Sequence, residues 1–271
     1  MCAELLPATF FFASREMILA IDTGNTNTKF ALCEGETTHA LWRCETNPRR
    51  TSDEYLVWLT QLMKTEEIDR GLLTGSIISC VVPDALENLT SLCSQITNSR
   101  PIVVGSKGVR LDIEVLIDRP EQVGADRLAN AVGAYARHKG PLIVIDFGTA
   151  TTFDVIDGDG NYRGSAFAPG INLSLEALHM RAAKLPRVEI RPTSSVIGNT
   201  TETAMQAGLY WGYVGMIEGL VARIRSEYGE ALNVVATGGL APLFADATDA
   251  IQQSDPDMTI RGLCMIYELN R

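Results

Sequence analysis

Leu19-Ala20-Ile21-Asp22-Thr23-Gly24-Asn25-Thr26-Asn27-Thr28 is answered further along the chain by Ile143-Val144-Ile145-Asp146-Phe147-Gly148-Thr149-Ala150-Thr151-Thr152. In both stretches an apolar run ends on Asp, Gly stands two positions on, and a run rich in hydroxyl or amide side chains follows. A carboxylate at the end of a buried strand is costly unless something pairs with it, and a divalent cation is one such partner. The Gly lets a backbone N–H approach a ligand closely, while Thr and Asn can donate to phosphate oxygens. A single Asp-x-Gly turn is more often a plain hairpin. Two copies in equivalent strands point instead to a duplicated fold that holds a nucleotide's phosphates between its halves.

The 271 residues suffice for one large domain or two medium ones, each with its own core. With 46% hydrophobic and 21% charged residues, the composition is that of a soluble globular protein. A net charge of −10 argues against a nucleic-acid partner, which would demand a basic face. It leaves an anionic small substrate open, because local cations set the field inside a cleft. The six cysteines are scattered with no C-x-x-C pair, so reduced thiols in a cytoplasmic protein are expected, with neither a disulfide frame nor a zinc site. Cys80, in the apolar run Ile77 to Val82, reads as a small buried hydrophobe. No apolar stretch is long enough to span a bilayer, and no membrane partner is expected. The start from Met1 to Glu16 contains Phe10-Phe11-Phe12, yet it lacks a basic region, carries Glu4 and is interrupted by Pro7. It reads as a loose extension or a misplaced start rather than a signal peptide, with Met17 opening the first strand.

Along the chain, a hairpin over roughly Ile18 to Leu32 precedes a capping-box pattern at Thr51-Ser52-Asp53-Glu54, with Tyr55, Leu59, Leu62 and Met63 at helical spacing. Leu72 to Val82 reads as a buried strand closed by Pro83, which can open the next helix, and Ile102 to Val104 as a short strand. A helix is expected from about Ala125 to His138, stopped by Gly140 and Pro141. The second half repeats the theme: a strand to Asp146, a return strand over Thr151 to Ile156, and a turn at Asp157 to Gly160. Helices follow at roughly Leu173 to Ala183 and Thr201 to Tyr228, then a strand, Val234 to Ala236, runs into Thr237-Gly238-Gly239 and a further helix. The pattern gives an α/β fold of two similar domains, 17–128 and 129–271, tightly associated for want of a flexible linker.

Asp22 is placed to hold Mg²⁺, through water because that ion keeps part of its hydration shell, and Lys29 stands where it can meet a terminal phosphate. A polar hairpin with a solvated lysine is the plainer alternative. In Gly124-Ala125-Asp126-Arg127 the acid is favoured by the helix dipole alone, so the tetrapeptide by itself reads first as structural. The functional reading makes Asp126 a general base for a substrate hydroxyl and Arg127 a fork for a polar or anionic group. Thr237-Gly238-Gly239 would let a nucleoside lie against backbone at a helix start. His39, His138 and His179 show no metal-ligand spacing. Tyr210, Trp211 and Tyr213, with Met216 and Ile217, read as core or subunit interface.

Together these segments resemble the type III pantothenate kinases of bacteria, in the actin-like superfamily of acetate and sugar kinases and chaperone ATPases. The matching pieces are Asp22 to Lys29, Gly124 to Arg127, Asp146 to Thr152, Ala168-Pro169-Gly170, Ile197 to Thr201 with Ala204 to Gly208, and Thr237-Gly238-Gly239. The resemblance implies two ribonuclease-H-like domains with the active site in the cleft between them. It implies ATP-dependent phosphorylation of pantothenate to 4′-phosphopantothenate, the first step of coenzyme A biosynthesis. It carries ATP binding onto Asp22, Thr23, Gly24, Asn25, Thr26, Asn27, Thr28, Lys29 and Thr149. Pantothenate contacts fall on Gly124, Ala125, Asp126, Arg127 and Thr201, with Asp126 accepting the proton. A monovalent cation, K⁺ or NH₄⁺, falls on Asp146, and the family is a homodimer with the pantothenate site near the subunit interface. One departure stands out: Ile117 occupies a position where the family often has a substrate-contacting Tyr. Another small-molecule kinase of the same superfamily is the first alternative, since fold does not fix function. A non-catalytic nucleotide-binding regulator is the second; the presence of both Asp126 and Lys29 speaks against it.

Overall fold

The computed structural model describes residues 16–181 and 186–271. The expected N-terminal extension therefore lies almost wholly outside the described residues. Strand β1 (Met17–Thr23), apolar up to Asp22, pairs antiparallel with β2 (Asn27–Glu34), which pairs with β3 (Thr37–Glu45). Helix α1 (Ser52–Thr65) starts at the expected box: the Thr51 hydroxyl accepts from the Glu54 N–H, and the Glu54 carboxylate accepts from the Thr51 N–H. Strand β4 (Leu73–Cys80) returns parallel to β1, Pro83 opens α2 (Pro83–Thr97), and β5 (Ile102–Val103) closes the sheet in the order β3-β2-β1-β4-β5.

After α3 (Ala125–His138) the pattern recurs. Strands β6 (Leu142–Phe147), β7 (Ala150–Ile156) and β8 (Tyr162–Pro169) form an antiparallel meander. Helices α4 (Ile171–Arg181) and α5 (Thr201–Tyr228) lead to β9 (Asn233–Gly238), parallel to β6; then come α6 (Ala241–Ala245), β10 (Gln253–Ser254) and α7 (Met258–Asn270). The second sheet reads β8-β7-β6-β9-β10, the same order as the first with each strand replaced by its counterpart. Helix α4 begins two residues before the expected Leu173, and the expected end at Ala183 lies outside the described residues.

Helices α1 and α2 cover one face of the first sheet, and α5 with α6 covers the outer face of the second. The third apolar cluster joins the halves: Ala20 and Ile77 of the first sheet meet Leu142 and Val144 of the second through α3 and α7. The two helices cross closely because Gly133 and Gly262 face each other's backbone, where any Cβ would collide. From Val109 to Ile117 every second side chain packs against this shared core, and the backbone then pairs with Tyr162 at the start of β8. Ile117 is thus half-buried in apolar surroundings.

Helix α5 ends as expected at Gly229, in the left-handed conformation at φ 83°. Of its aromatic residues Tyr210 and Tyr213 are buried inside the chain, while Trp211 and Tyr228 are half-buried. Tyr210 and Tyr213 pack with Phe147 and Phe244, and Ile217 is fully buried with them. Among the described residues the five cysteines are free, and no helix is long and apolar enough to cross a membrane.

Candidate active site

Both Asp-x-Gly turns sit at the strand ends that face the gap between the sheets, and they are built alike. The Gly24 N–H donates to the Asn27 carbonyl at 3.0 Å, and the Gly148 N–H to the Ala150 carbonyl at 3.1 Å. The turns meet tip to tip: the hydroxyls of Thr26 and Thr149 are hydrogen-bonded at 2.9 Å across 123 residues of sequence. Asn25, Thr26 and Asn27 are exposed at the opening. Thr23 and Thr28 are buried beneath it. The Thr28 hydroxyl bonds that of Thr46, which donates to the Gly24 carbonyl and braces the turn from below.

Helix α3 aims its first turn into the same gap. Gly124 supplies the extended N-cap, and the Asp126 carboxylate accepts from the Arg127 N–H at 2.8 Å. Burial pushes Asp126 up to about 6, and the nearby negative charge of Asp22 adds to it. Asp146 is likewise pushed up to about 6, first by burial and then by Asp126. Asp22 is raised by burial against the pull of Lys29, whose Nζ lies 3.6 Å away. Three carboxylates from three separate elements therefore feel one another's charge at the point where the turns touch.

Their supports differ. Asp22 faces Lys29 across β2 and lies beside Ser79 on β4. Asp146 faces Thr152 across β7 and lies beside Thr237 on β9. Its Oδ2 accepts from Asn130 at 2.9 Å, and Asn130 in turn accepts from Thr259 of α7 at 2.7 Å. Gly238, at φ 92°, brings the Thr237-Gly238-Gly239 backbone against Asp146; a Cβ there would come 2.8 Å from Oδ1 and 2.6 Å from the Phe147 carbonyl.

Arg127 is held by the second sheet. Its Nε donates to Asp154 Oδ1 at 3.0 Å, its Nη2 reaches Asp154 and the Tyr162 hydroxyl, and the Phe167 ring lies 4.4 Å from the guanidinium carbon. Thr201 stands exposed in the first turn of α5; among the described residues no hydrogen bond ties it to the acidic trio. The histidines serve elsewhere, His39 against Glu34 and His138 against Asp255. Asn130, Asp154 and Tyr162 escaped the sequence reading. Asn130 had a usable signal, standing four residues after Asp126 and so on the same helix face.

The donor set suits a divalent cation shared with phosphates. Asp22 Oδ1 is buried without a hydrogen-bond partner, an unmet demand that a hydrated cation satisfies. Among the described residues no three acidic, His or Cys side chains cluster closely enough to cage an ion alone. One carboxylate plus water and phosphate oxygens is the habit of Mg²⁺.

The chain as a whole is similar to known proteins. The family model of type III pantothenate kinase matches residues 18–223. A type III pantothenate kinase of Paramagnetospirillum magneticum is 58% identical over 254 residues, 94% of this chain and 98% of the relative; one from Rhodospirillum rubrum is 57% identical over 255 residues, 94% and 99%. Among solved structures, a Sinorhizobium meliloti protein assigned as a 2-dehydro-3-deoxygalactonokinase superposes with a TM-score of 0.62 over 93% of this chain and 98% of its own, at 11% identity, a likeness of fold alone. The fold is that of the actin-like ATPases and sugar kinases. The chain belongs to the type III pantothenate kinase family.

Proposed function

We propose that this chain transfers the γ-phosphoryl group of ATP to the primary hydroxyl of pantothenate, giving 4′-phosphopantothenate and ADP at the entry to coenzyme A biosynthesis. The observation that carries the site assignment is the tip-to-tip contact of the two Asp-x-Gly turns, Thr26 hydroxyl to Thr149 hydroxyl at 2.9 Å, with the carboxylates of Asp22 and Asp146 at the ends of the strands that lead into them. Phosphoryl transfer asks a protein mainly for positioning and charge neutralisation. Gly24 to Asn27 and Thr149 offer N–H and side-chain donors to the phosphates, Lys29 adds a positive charge, and Thr237 to Gly239 seat the nucleoside. When bound beside Asp22, Mg²⁺ offsets charge on the β- and γ-phosphates. Asp126 takes the proton as the hydroxyl oxygen bonds to the γ-phosphorus and the bond to the bridging oxygen of ADP breaks. Its raised pKa suits that work, since a base near neutrality both accepts and releases a proton readily. Asp146 takes K⁺ or NH₄⁺, because no side-chain cation faces it across the hairpin. The substrates would lie in the cleft between the domains 17–128 and 129–271.

Helix α5 supports a homodimer through glycines rather than aromatics. Gly208, Gly212 and Gly215 line one exposed face with nothing of this chain near enough to touch an added Cβ, and Gly219 continues the stripe. Exposed glycines cost a helix about 1 kcal/mol each relative to Ala, which close approach of a second copy's helix would offset. Light scattering should report about twice the 29.5 kDa of one chain, and Gly212→Leu should yield monomers. A native mass near 29.5 kDa would contradict the pairing.

The activity itself is tested by incubating the protein with Mg·ATP, K⁺ and pantothenate and following ADP release with phosphorus NMR of the product. Stoichiometric ADP and a phosphomonoester on the acid are expected; ADP release indifferent to pantothenate would defeat the proposal.

A further inference from the structure

Arg127 occupies the first turn of α3, where the helix dipole disfavours a cation. Its position therefore requires support, and β7 and β8 provide it. Asp154, only 1% exposed, takes Nε and Nη2 on one oxygen, while its other oxygen accepts from Thr152 at 3.2 Å. The Tyr162 hydroxyl, itself buried, donates to the same Asp154 oxygen at 2.8 Å and lies against Nη2. Tyr162 is anchored in turn: its backbone pairs with Glu114 and Leu116 of the segment that crosses from the first half. The Phe167 ring, 62% exposed, lies across the guanidinium from the edge strand. Nη1 is left over. Among the described residues it has no hydrogen-bond partner, and it is not among the polar atoms sealed from solvent.

A guanidinium fixed on two nitrogens and free on the third is a directed donor with little rotational freedom to lose. We infer that Asp154 and Tyr162 are positioning residues for pantothenate: they lock Arg127 so that Nη1 donates to an acceptor oxygen of the acid bound beside Asp126. The inference rests on the reading of Arg127 as a substrate contact. Because Asp154 neutralises the guanidinium, Arg127 contributes direction and hydrogen bonding more than net charge. Among the described residues, neither positioning residue is hydrogen-bonded to Gly24 to Lys29 or to Thr149, residues read as ATP contacts, so KM for ATP should be indifferent to them.

The test compares Asp154→Asn, Tyr162→Phe and Arg127→Met with the native enzyme by steady-state kinetics in both substrates. Loss of a hydrogen bond to a charged group predicts a pantothenate KM raised roughly tenfold in Asp154→Asn, and about threefold for the neutral hydroxyl in Tyr162→Phe. In both, KM for ATP should stay at the native value and kcat within about threefold, the pattern of lost ground-state binding. Arg127→Met should raise the pantothenate KM further than either. A purely structural role would instead lower kcat through loss of folded enzyme or raise both KM values, and either result overturns the inference. If Arg127→Met is impaired for pantothenate while the other two are native-like, the positioning role fails and the Arg127 contact stands. If Arg127→Met binds pantothenate normally, the contact itself is wrong. Should Asp154→Asn not fold, Tyr162→Phe decides alone, an unchanged pantothenate KM refuting the role.

Discussion

The two hairpins share a sheet position, a turn and a terminal carboxylate, yet one residue across the ladder separates their chemistry. Opposite Asp22 stands Lys29; opposite Asp146 stands Thr152. Asp22 has an internal cation at 3.6 Å and one oxygen with no partner. Asp146 has a neutral amide from Asn130 and no side-chain cation across the hairpin, while a second carboxylate, Asp126, presses on it. Under the proposed function the duplicated scaffold is divided: the first turn would take phosphate with its divalent ion, and the second a counter-ion from solution. Asp126, contributed by the helix between the halves, lies within the field of both.

The largest effect should come from the carboxylate that belongs to neither turn. Asp126→Asn should keep ATP binding and lose about 10²–10⁴ in kcat, the usual cost of a general base. Stopped-flow nucleotide binding beside steady-state turnover checks it, and a near-native kcat would move the base elsewhere.

Next is Asp22→Ala, which should raise the Mg²⁺ concentration needed for half-maximal rate by at least about tenfold, since the lost contact is to a charged group. A magnesium titration showing native behaviour would place the divalent ion away from the first turn and remove half of the contrast.

The pH dependence follows from the shared burial. Asp126 and Asp146 are both pushed up to about 6, so below that pH both fill with protons and kcat/KM should fall by between about tenfold and about a hundredfold per unit. A flat rate from pH 7 down to 5 would show that neither carboxylate need be ionised.

The smallest effect concerns stability. A carboxyl whose folded pKa is raised binds protons more tightly folded than unfolded, so its contribution weakens as pH climbs from about 4 to about 6 and stays weakened above. Bound cations relieve that strain only where the carboxylates are charged. Added K⁺ should therefore raise the melting temperature at pH 7.5 and leave it unchanged at pH 5, and the shift should vanish in Asp146→Asn. Equal shifts at both pH values would point to a salt effect unrelated to the second turn.

The duplicated turns were legible because their signal is local: an apolar run, an Asp, a Gly and a set of donors. The caps at Thr51 and Gly229 were legible for the same reason, and α3 and α5 start and end at the residues their stop and start signals marked. Strands β3 and β8 and helix α7 were not. β8 reads Tyr162-Arg163-Gly164-Ser165-Ala166-Phe167-Ala168-Pro169, short of β-branched residues, because it is an edge strand with one face open. Helix α7 carries Gly262 in its interior, unfavourable for a helix and required by the crossing with Gly133. The environment of Arg127 was illegible too, since Asp154 and Tyr162 come to it from strands 27 and 35 residues on. Tyr210 and Tyr213 of α5 could be assigned to core only once Phe147 and Phe244 were seen against them.

The division of labour between the turns is tested most directly by measuring pantothenate-dependent ADP formation by the native enzyme and Asp146→Asn in matched K⁺ and Na⁺ buffers. A faster native rate in K⁺ than in Na⁺, with the difference abolished in Asp146→Asn, is the predicted result. Equal native rates in the two salts would contradict it and leave Asp146 a structural twin of Asp22.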